Sequence, residues 1–362
     1  MKNYYKILFL GIIIFYFLEI VSLKAQDVVP EEYAAYGFIP GLGQFLLGNE
    51  TTGAAQLGLF LSFLGSSSSM TKRPDYIPAD ERKIEFKIED AIIADYLDKN
   101  NLLYKDYPLL SESQYDRLYR MIRYKKLIEI NPLLEYGSYE RMTYATAGSE
   151  LLGQSAQHVL FYSVYSSYRD AGGIKPVSMN QESYHDLAIA PFQPKYIFNR
   201  YFWIPIGFLI ALAGYETSHP PKNPQWTLLY PGMKRSGFMN FYVATISFNA
   251  GVSEEAFFRG FLNHFFIKEM GLELGLTSSS VIFGLAHLGN GIGNVISATL
   301  AGFYFGYLHY KDNWDIRQSI AVHFWWDVIV FAVSLRYTKE DKNVVKNQRE
   351  VHFMPIYYQF KF

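Results

Sequence analysis

The sequence predicts an all-α polytopic membrane protein with about seven to eight transmembrane helices. Three observations predict it. Half of the 362 residues are hydrophobic and 18% are aromatic, with 30 Tyr and 29 Phe against 19% charged residues. The charges are uneven: residues 71–141 hold 13 Lys/Arg and 14 Asp/Glu, whereas the 37 residues from Leu274 to Tyr310 hold none. An uncharged run of that length suits two spans of about 20 residues joined by a turn. The stretch from Gly237 to Ser253 is also free of charge, and "FFRGFLNHFF" continues its apolar character.

The elements follow in chain order. The N-terminus, "MKNYYKILFLGIIIFYFLEIVSLKAQD", sets Lys2 and Lys6 before an apolar core running from Ile7 to Leu18. That length matches a signal peptide, and Leu23-Lys24-Ala25 is a passable cleavage site, so residues 1–25 read as a signal peptide or, uncleaved, a signal anchor. Residues 33–69 carry one charge, Glu50, and read as a short transmembrane hairpin around the turn "GNETT". Its glycine-rich "PGLGQFLLG" suits close helix packing through small residues. Residues 71–147 form a polar insertion in which apolar positions recur at helical spacing among alternating charges, as in surface helices. Residues 148–216 read as two membrane or interfacial helices, and Lys195 and Arg200 anchor the start of the second, Tyr201 to Tyr215.

After the connection "SHPPKNPQW", residues 235–335 read as four closely spaced helices near 237–267, 272–288, 291–310 and 318–335. The C-terminal tail, 336–362, is polar until "FMPIYYQFKF", which alternates as a short strand or an interfacial segment would. A net charge of −1 without a basic stripe gives no case for a nucleic-acid partner. The absence of cysteine excludes disulfides, thiolate metal sites and cysteine nucleophiles.

Three features place ionisable groups on these apolar helices, where a charge costs a few kcal/mol and defaults to a functional role. The first is "GVSEEAFFRG", with Glu254, Glu255 and Arg259. In α-helical geometry Glu255 and Arg259 share a face and form an intrahelical pair, while Glu254 points about 100° away and is left free to act. The second is "FGLAH", which ends in His287 before the turn "GNGIGN". The third is "HFWWD", where Asp327 follows His323 by one turn and can orient its imidazole. Two further histidines, His264 and His309, fall near helix ends and read as interfacial.

In order, "EEAFFR", "FGLAH" and "HFWWD" resemble the E-E-x-x-x-R, F-x-x-x-H and H-x-x-x-N/D motifs of the CPBP family. That family contains the type II CAAX prenyl proteases and their bacterial relatives, the Abi family. The resemblance covers roughly residues 235–335. It implies a CPBP protease core: an intramembrane endopeptidase whose polar catalytic cavity opens between the C-terminal helices. Carried over by position, Glu254 with His287 would activate water, Glu255 and Arg259 would support that site, and His323 with Asp327 would stabilise the oxyanion. The chemistry is coherent, since peptide hydrolysis needs a base for water, donors for the oxyanion and a proton for the leaving amine.

Asp327 stands where eukaryotic prenyl-protein proteases have Asn, and an ionised carboxylate cannot donate to an oxyanion as an amide does. For the cofactor, the favoured expectation is a metal-free, glutamate-activated water. Zinc held by Glu254, His287 and His323 is the alternative, although these residues lack the H-E-x-x-H spacing of zincins. The expected partners are a peptide or membrane-protein substrate and the lipid bilayer, in the cytoplasmic (inner) membrane of a bacterium. The non-enzymatic alternative is a membrane scaffold or bacteriocin-type immunity protein, and a polar relay for ion transport is a third. Intact motifs favour the enzyme.

Overall fold

A computed structural model of the chain describes residues 29–84, 139–174, 183–218, 226–288 and 292–340. The expected signal segment, most of the polar insertion and most of the C-terminal tail lie outside these residues. Helices dominate, as the apolar runs predict: α1 Pro30–Gly37, α2 Leu42–Leu46, α3 Glu50–Met70, α4 Ala79–Arg82 and α5 Tyr144–Asp170. Then come α6 Tyr184–Ile189, α7 Pro194–Ile197, α8 Arg200–Ser218, α9 Gly237–Asn249, a π-helix Ala250–Asn263 and α10 His264–Met270. The last three are α11 Leu272–Ala286, α12 Ile292–Lys311 and α13 Arg317–Tyr337. Among the described residues, α13 is long and apolar enough to cross a membrane, while 200–215 and 272–286 are apolar but shorter.

The chain divides into two compact units, residues 1–65, 152–204 and 246–325 in the first and 66–151, 205–245 and 326–362 in the second. The second unit contains a small four-stranded sheet in the order β1 Lys83–Ile84, β2 Tyr139–Met142, β3 Trp226–Leu228, β4 Lys339–Glu340. β1 and β2 are antiparallel, and β2, β3 and β4 are parallel. The polar interval thus ends earlier than its charge pattern indicates, because Met142, Ala145 and Ala147 are buried. Thr143 Oγ1 donates to the Asp75 carbonyl at 2.6 Å and ties the start of α5 to the chain after α3. At the other end of the sheet, the Lys234 ammonium donates to the Arg336 and Thr338 carbonyls, both at 2.8 Å, capping α13. A cation there offsets the partial negative charge of a helix C-terminus.

In the first unit the π-helix is the centre. Val252 and Ala256 pack with Tyr165, Leu187, Ile316 and Ile320, while Phe257 and Phe258 pack with Ala34, Val164, Tyr168 and Phe283. Glycines permit this closeness. A Cβ on Gly260 would enter the ring of buried Tyr165, and one on Gly251 would lie 3.0 Å from the Phe324 nitrogen. Around the hairpin of α1 to α3, the Gly41 amide donates to Ser163 Oγ at 3.0 Å and Gln56 donates to Ser166 Oγ at 3.0 Å. These bonds satisfy polar groups in an interface of small residues, as membrane helix packing favours. The first unit also exposes large apolar side chains, among them Ile204, Phe198, Leu285 and Leu300, each more than half accessible.

Candidate active site

The EExxxR motif lies in the π-helix, not in the α-helix expected over 237–267. In a π-helix each N–H bonds five residues back, which is rare and concentrates at functional sites. The wider turn changes which residues stack. Glu255 Oε1 meets Arg259 Nη1 at 3.0 Å, the pair expected at four residues apart. Among the described residues Glu254 makes no ion pair with Arg259.

Glu255 is fully buried and Arg259 is 2% exposed. Such a pair persists only with further partners, because desolvating both charges costs several kcal/mol each. Two rings supply some of them. The guanidinium carbon lies 4.0 Å from the centroid of Phe283 and 5.1 Å from that of Phe305. A planar, weakly hydrated guanidinium stacks on such faces where an ammonium would not. The same Glu255 Oε1 takes a hydrogen bond from His323 Nδ1 at 2.8 Å. Its second oxygen has no hydrogen-bond partner in the protein.

Spacing along α13 points to Asp327 as the carboxylate that orients His323. The fold places Glu255, from the π-helix, at His323 Nδ1. Asp327 itself is half-buried, four residues further along α13. The His323 ring stacks on Phe305 with centroids 5.4 Å apart and an interplanar angle of 20°. With Nδ1 hydrogen-bonded to a carboxylate, the proton there is fixed and Nε2 is the nitrogen left for chemistry.

His287 closes α11 as its C-cap. Its Nδ1 lies 2.8 Å from the Phe283 carbonyl, which can only accept, so Nδ1 carries the proton and Nε2 of the neutral ring carries the lone pair. That is the tautomer a base requires. Phe283, the first residue of "FGLAH", joins the groups: its ring lies 4.8 Å from His287 and 6.2 Å from His323. Glu254 is half-buried, and its Oε2 is inaccessible and without a hydrogen-bond partner among the described residues. Among the described residues no three His, Asp or Glu side chains gather where they could hold a metal ion.

Other residues hold the π-helix at both ends. At its start the Asn249 carbonyl accepts Ser253 Oγ at 2.6 Å and faces His158 Nδ1 at 3.4 Å, while Asn249 Nδ2 donates to Ser155 Oγ at 3.0 Å. His158 is buried and its Nε2 meets the Tyr184 hydroxyl at 3.0 Å. The helical spacing of Ser155, His158 and Tyr162 was the available signal, a polar stripe in an otherwise span-like segment. At its end Asn263 accepts from Ser279 Oγ at 2.8 Å and donates to the Gly306 carbonyl at 3.2 Å. His309 Nε2 donates to the Trp314 carbonyl at 3.1 Å, and His264 Nδ1 pairs with the Tyr168 hydroxyl at 2.9 Å. Both histidines are buried within hydrogen-bonded networks, which corrects the reading of them as interfacial.

Comparison with known proteins agrees with the motifs. Residues 236–329 match the family model described as Type II CAAX prenyl endopeptidase Rce1-like. No curated protein and no solved structure matches the chain. The matched segment carries Glu254, Glu255, Arg259, His287, His323 and Asp327, and it runs from α9 into α13. Through this segment, about a quarter of the chain, the protein is similar to the Rce1-like type II CAAX prenyl endopeptidases.

Proposed function

We propose that the protein is an intramembrane endopeptidase that hydrolyses a peptide bond in a membrane-associated peptide or protein, using water activated by Glu254 and His287. The observation that carries this reading is the Glu254 carboxylate. It keeps an inaccessible oxygen without a protein partner, one residue before a glutamate held by both Arg259 and His323. In the first step water loses a proton to Glu254, with His287 Nε2 as the second acceptor at the site, and the oxygen bonds to the scissile carbonyl carbon. The negative charge that forms on the carbonyl oxygen is met by His323 Nε2–H, whose imidazolium form Glu255 stabilises from the other side of the ring. Asp327 supports this oxyanion side. Collapse of the tetrahedral species breaks the C–N bond, and the proton taken from water passes to the leaving amine.

The proposal extends to the cell. The chain works as a multi-pass protein of about seven to eight spans, in a bacterial inner membrane, with residues 1–25 as its address. Its substrate is a peptide or membrane protein, not a prenylated one. The decisive experiment compares the peptides released from membranes carrying the wild type, Glu254→Gln or His287→Gln. Loss of a general base costs about 100-fold to 10,000-fold in rate. Each variant should therefore lose the cleavage products while its amount in the membrane stays constant. Wild-type product levels from either variant would refute the assignment of the base.

A further inference from the structure

A second cluster of charge lies outside the catalytic constellation, at the start of α8 and the end of α12. Arg200 is the first residue of α8, Lys311 the last of α12, and both are exposed. They converge on one phenol. Arg200 Nη2 donates to the Tyr201 hydroxyl at 2.9 Å, and the Lys311 ammonium lies over the ring of the same residue. The Lys311 nitrogen sits 3.9 Å from the centroid of the Tyr201 ring, and the Arg200 guanidinium carbon 4.9 Å from it. The ring is held in place, since the Tyr304 hydroxyl donates to the Tyr201 carbonyl at 2.5 Å and links α12 to α8. Lys195 adds a third exposed cation nearby in the chain, over the ring of Tyr196 at 4.4 Å.

Two like charges gathered on one neutral side chain repel each other unless an anion lies between or beside them. The protein supplies little. Arg200 has no carboxylate partner among the described residues, and the Lys311 pairing is a loose one, 3.5 Å to Asp312. Directly beyond the cations, at the start of α8, the surface becomes apolar: Trp203 and Ile204 are 49% and 65% exposed, and Phe198 before the helix is 76% exposed. Cations beside Tyr and Trp, above an exposed apolar face, match the headgroup level of a bilayer. Anionic headgroups attract such cations.

We infer that Arg200, Lys311 and Tyr201 form a binding site for the phosphate of an anionic phospholipid headgroup, with its acyl chains along the exposed face of α8. This rests on the chain being in a membrane and not on the catalytic assignment, so the two fail separately. The test is thermal unfolding of the full chain in neutral detergent with added phosphatidylglycerol, phosphatidylcholine or inorganic phosphate. Phosphatidylglycerol should raise the wild-type midpoint by about 3 °C or more at saturation, and phosphatidylcholine should not. R200Q/K311Q should lose most of that difference. Y201F, which keeps both charges but removes the oxygen that Arg200 holds, should lose part of it. K268Q, which removes an exposed cation already paired with Glu31 at 2.8 Å, should keep it.

An equal response to both lipids would overturn the site, as would full discrimination in R200Q/K311Q and Y201F. Equal loss in K268Q would reduce the effect to diffuse charge and overturn it as well. A matching rise with inorganic phosphate alone would exclude the lipid as the ligand.

Discussion

Glu255 is the residue on which the site's electrostatics turn. One of its oxygens holds both Arg259 and His323, so a single carboxylate neutralises a buried guanidinium and orients an imidazole. Removing one partner of a buried pair leaves the other charge uncompensated, at a cost of about 3–5 kcal/mol. Arg259→Ala should therefore lower the unfolding midpoint in detergent as well as activity. Arg259→Lys should recover little, because an ammonium cannot replace the planar contact with Phe283 and Phe305. A midpoint unchanged in Arg259→Ala would mean that water, and not the protein, compensates Glu255. A second comparison separates the two carboxylates near His323. Glu255→Gln should reduce turnover by at least about tenfold, since an amide cannot supply the charge that favours the imidazolium. Asp327→Asn should retain more activity than Glu255→Gln when both are assayed on one substrate near neutral pH. The reverse order would return the orienting role to Asp327.

At the scale of elements, the π-helix and its neighbours depend on close approach. Gly260 faces Tyr165 of α5, and Gly284 of α11 faces α12, where a Cβ would lie 2.8 Å from the Val295 carbonyl oxygen. Gly302 of α12 returns the contact, with a Cβ position 2.9 Å from the Ser280 Cα. Membrane helices gain no hydrophobic force between themselves, so they rely on such small residues to bring backbones together. Gly284→Val should thus reduce the yield of folded, detergent-soluble protein, whereas Gly207→Val, at a position open within 4 Å, should not. The measurement is the monodisperse fraction on size-exclusion chromatography. Equal yields would show that α11 and α12 can move apart without cost. His158 belongs to this scale too: it lies outside the family-matched segment yet faces the carbonyl that opens the π-helix.

At the scale of the whole molecule, the cysteine-free sequence makes the membrane reading directly testable. Single cysteines at Ile204 and Leu300, 65% and 66% exposed on apolar surfaces, should react in native membranes with a lipid-soluble maleimide and resist a water-soluble one. A cysteine at exposed Asn313 should react with both. Rapid labelling of Ile204→Cys by the water-soluble reagent would place that face of α8 in water. The sequence by itself determined where the C-terminal helices lie, because runs without charge and Gly-containing turns are local properties. It also singled out Glu254, Glu255, Arg259, His287, His323 and Asp327 as candidates, since they stand out against apolar helices. Tertiary structure decided the rest. The partner of His323 Nδ1 comes from a residue 68 positions away, which no spacing along one helix can reveal. The π geometry of the segment that carries both glutamates, and the burial of His264 and His309, likewise depend on which helices become neighbours. Local pattern selects the helices and their polar residues, and only packing selects which polar atoms meet.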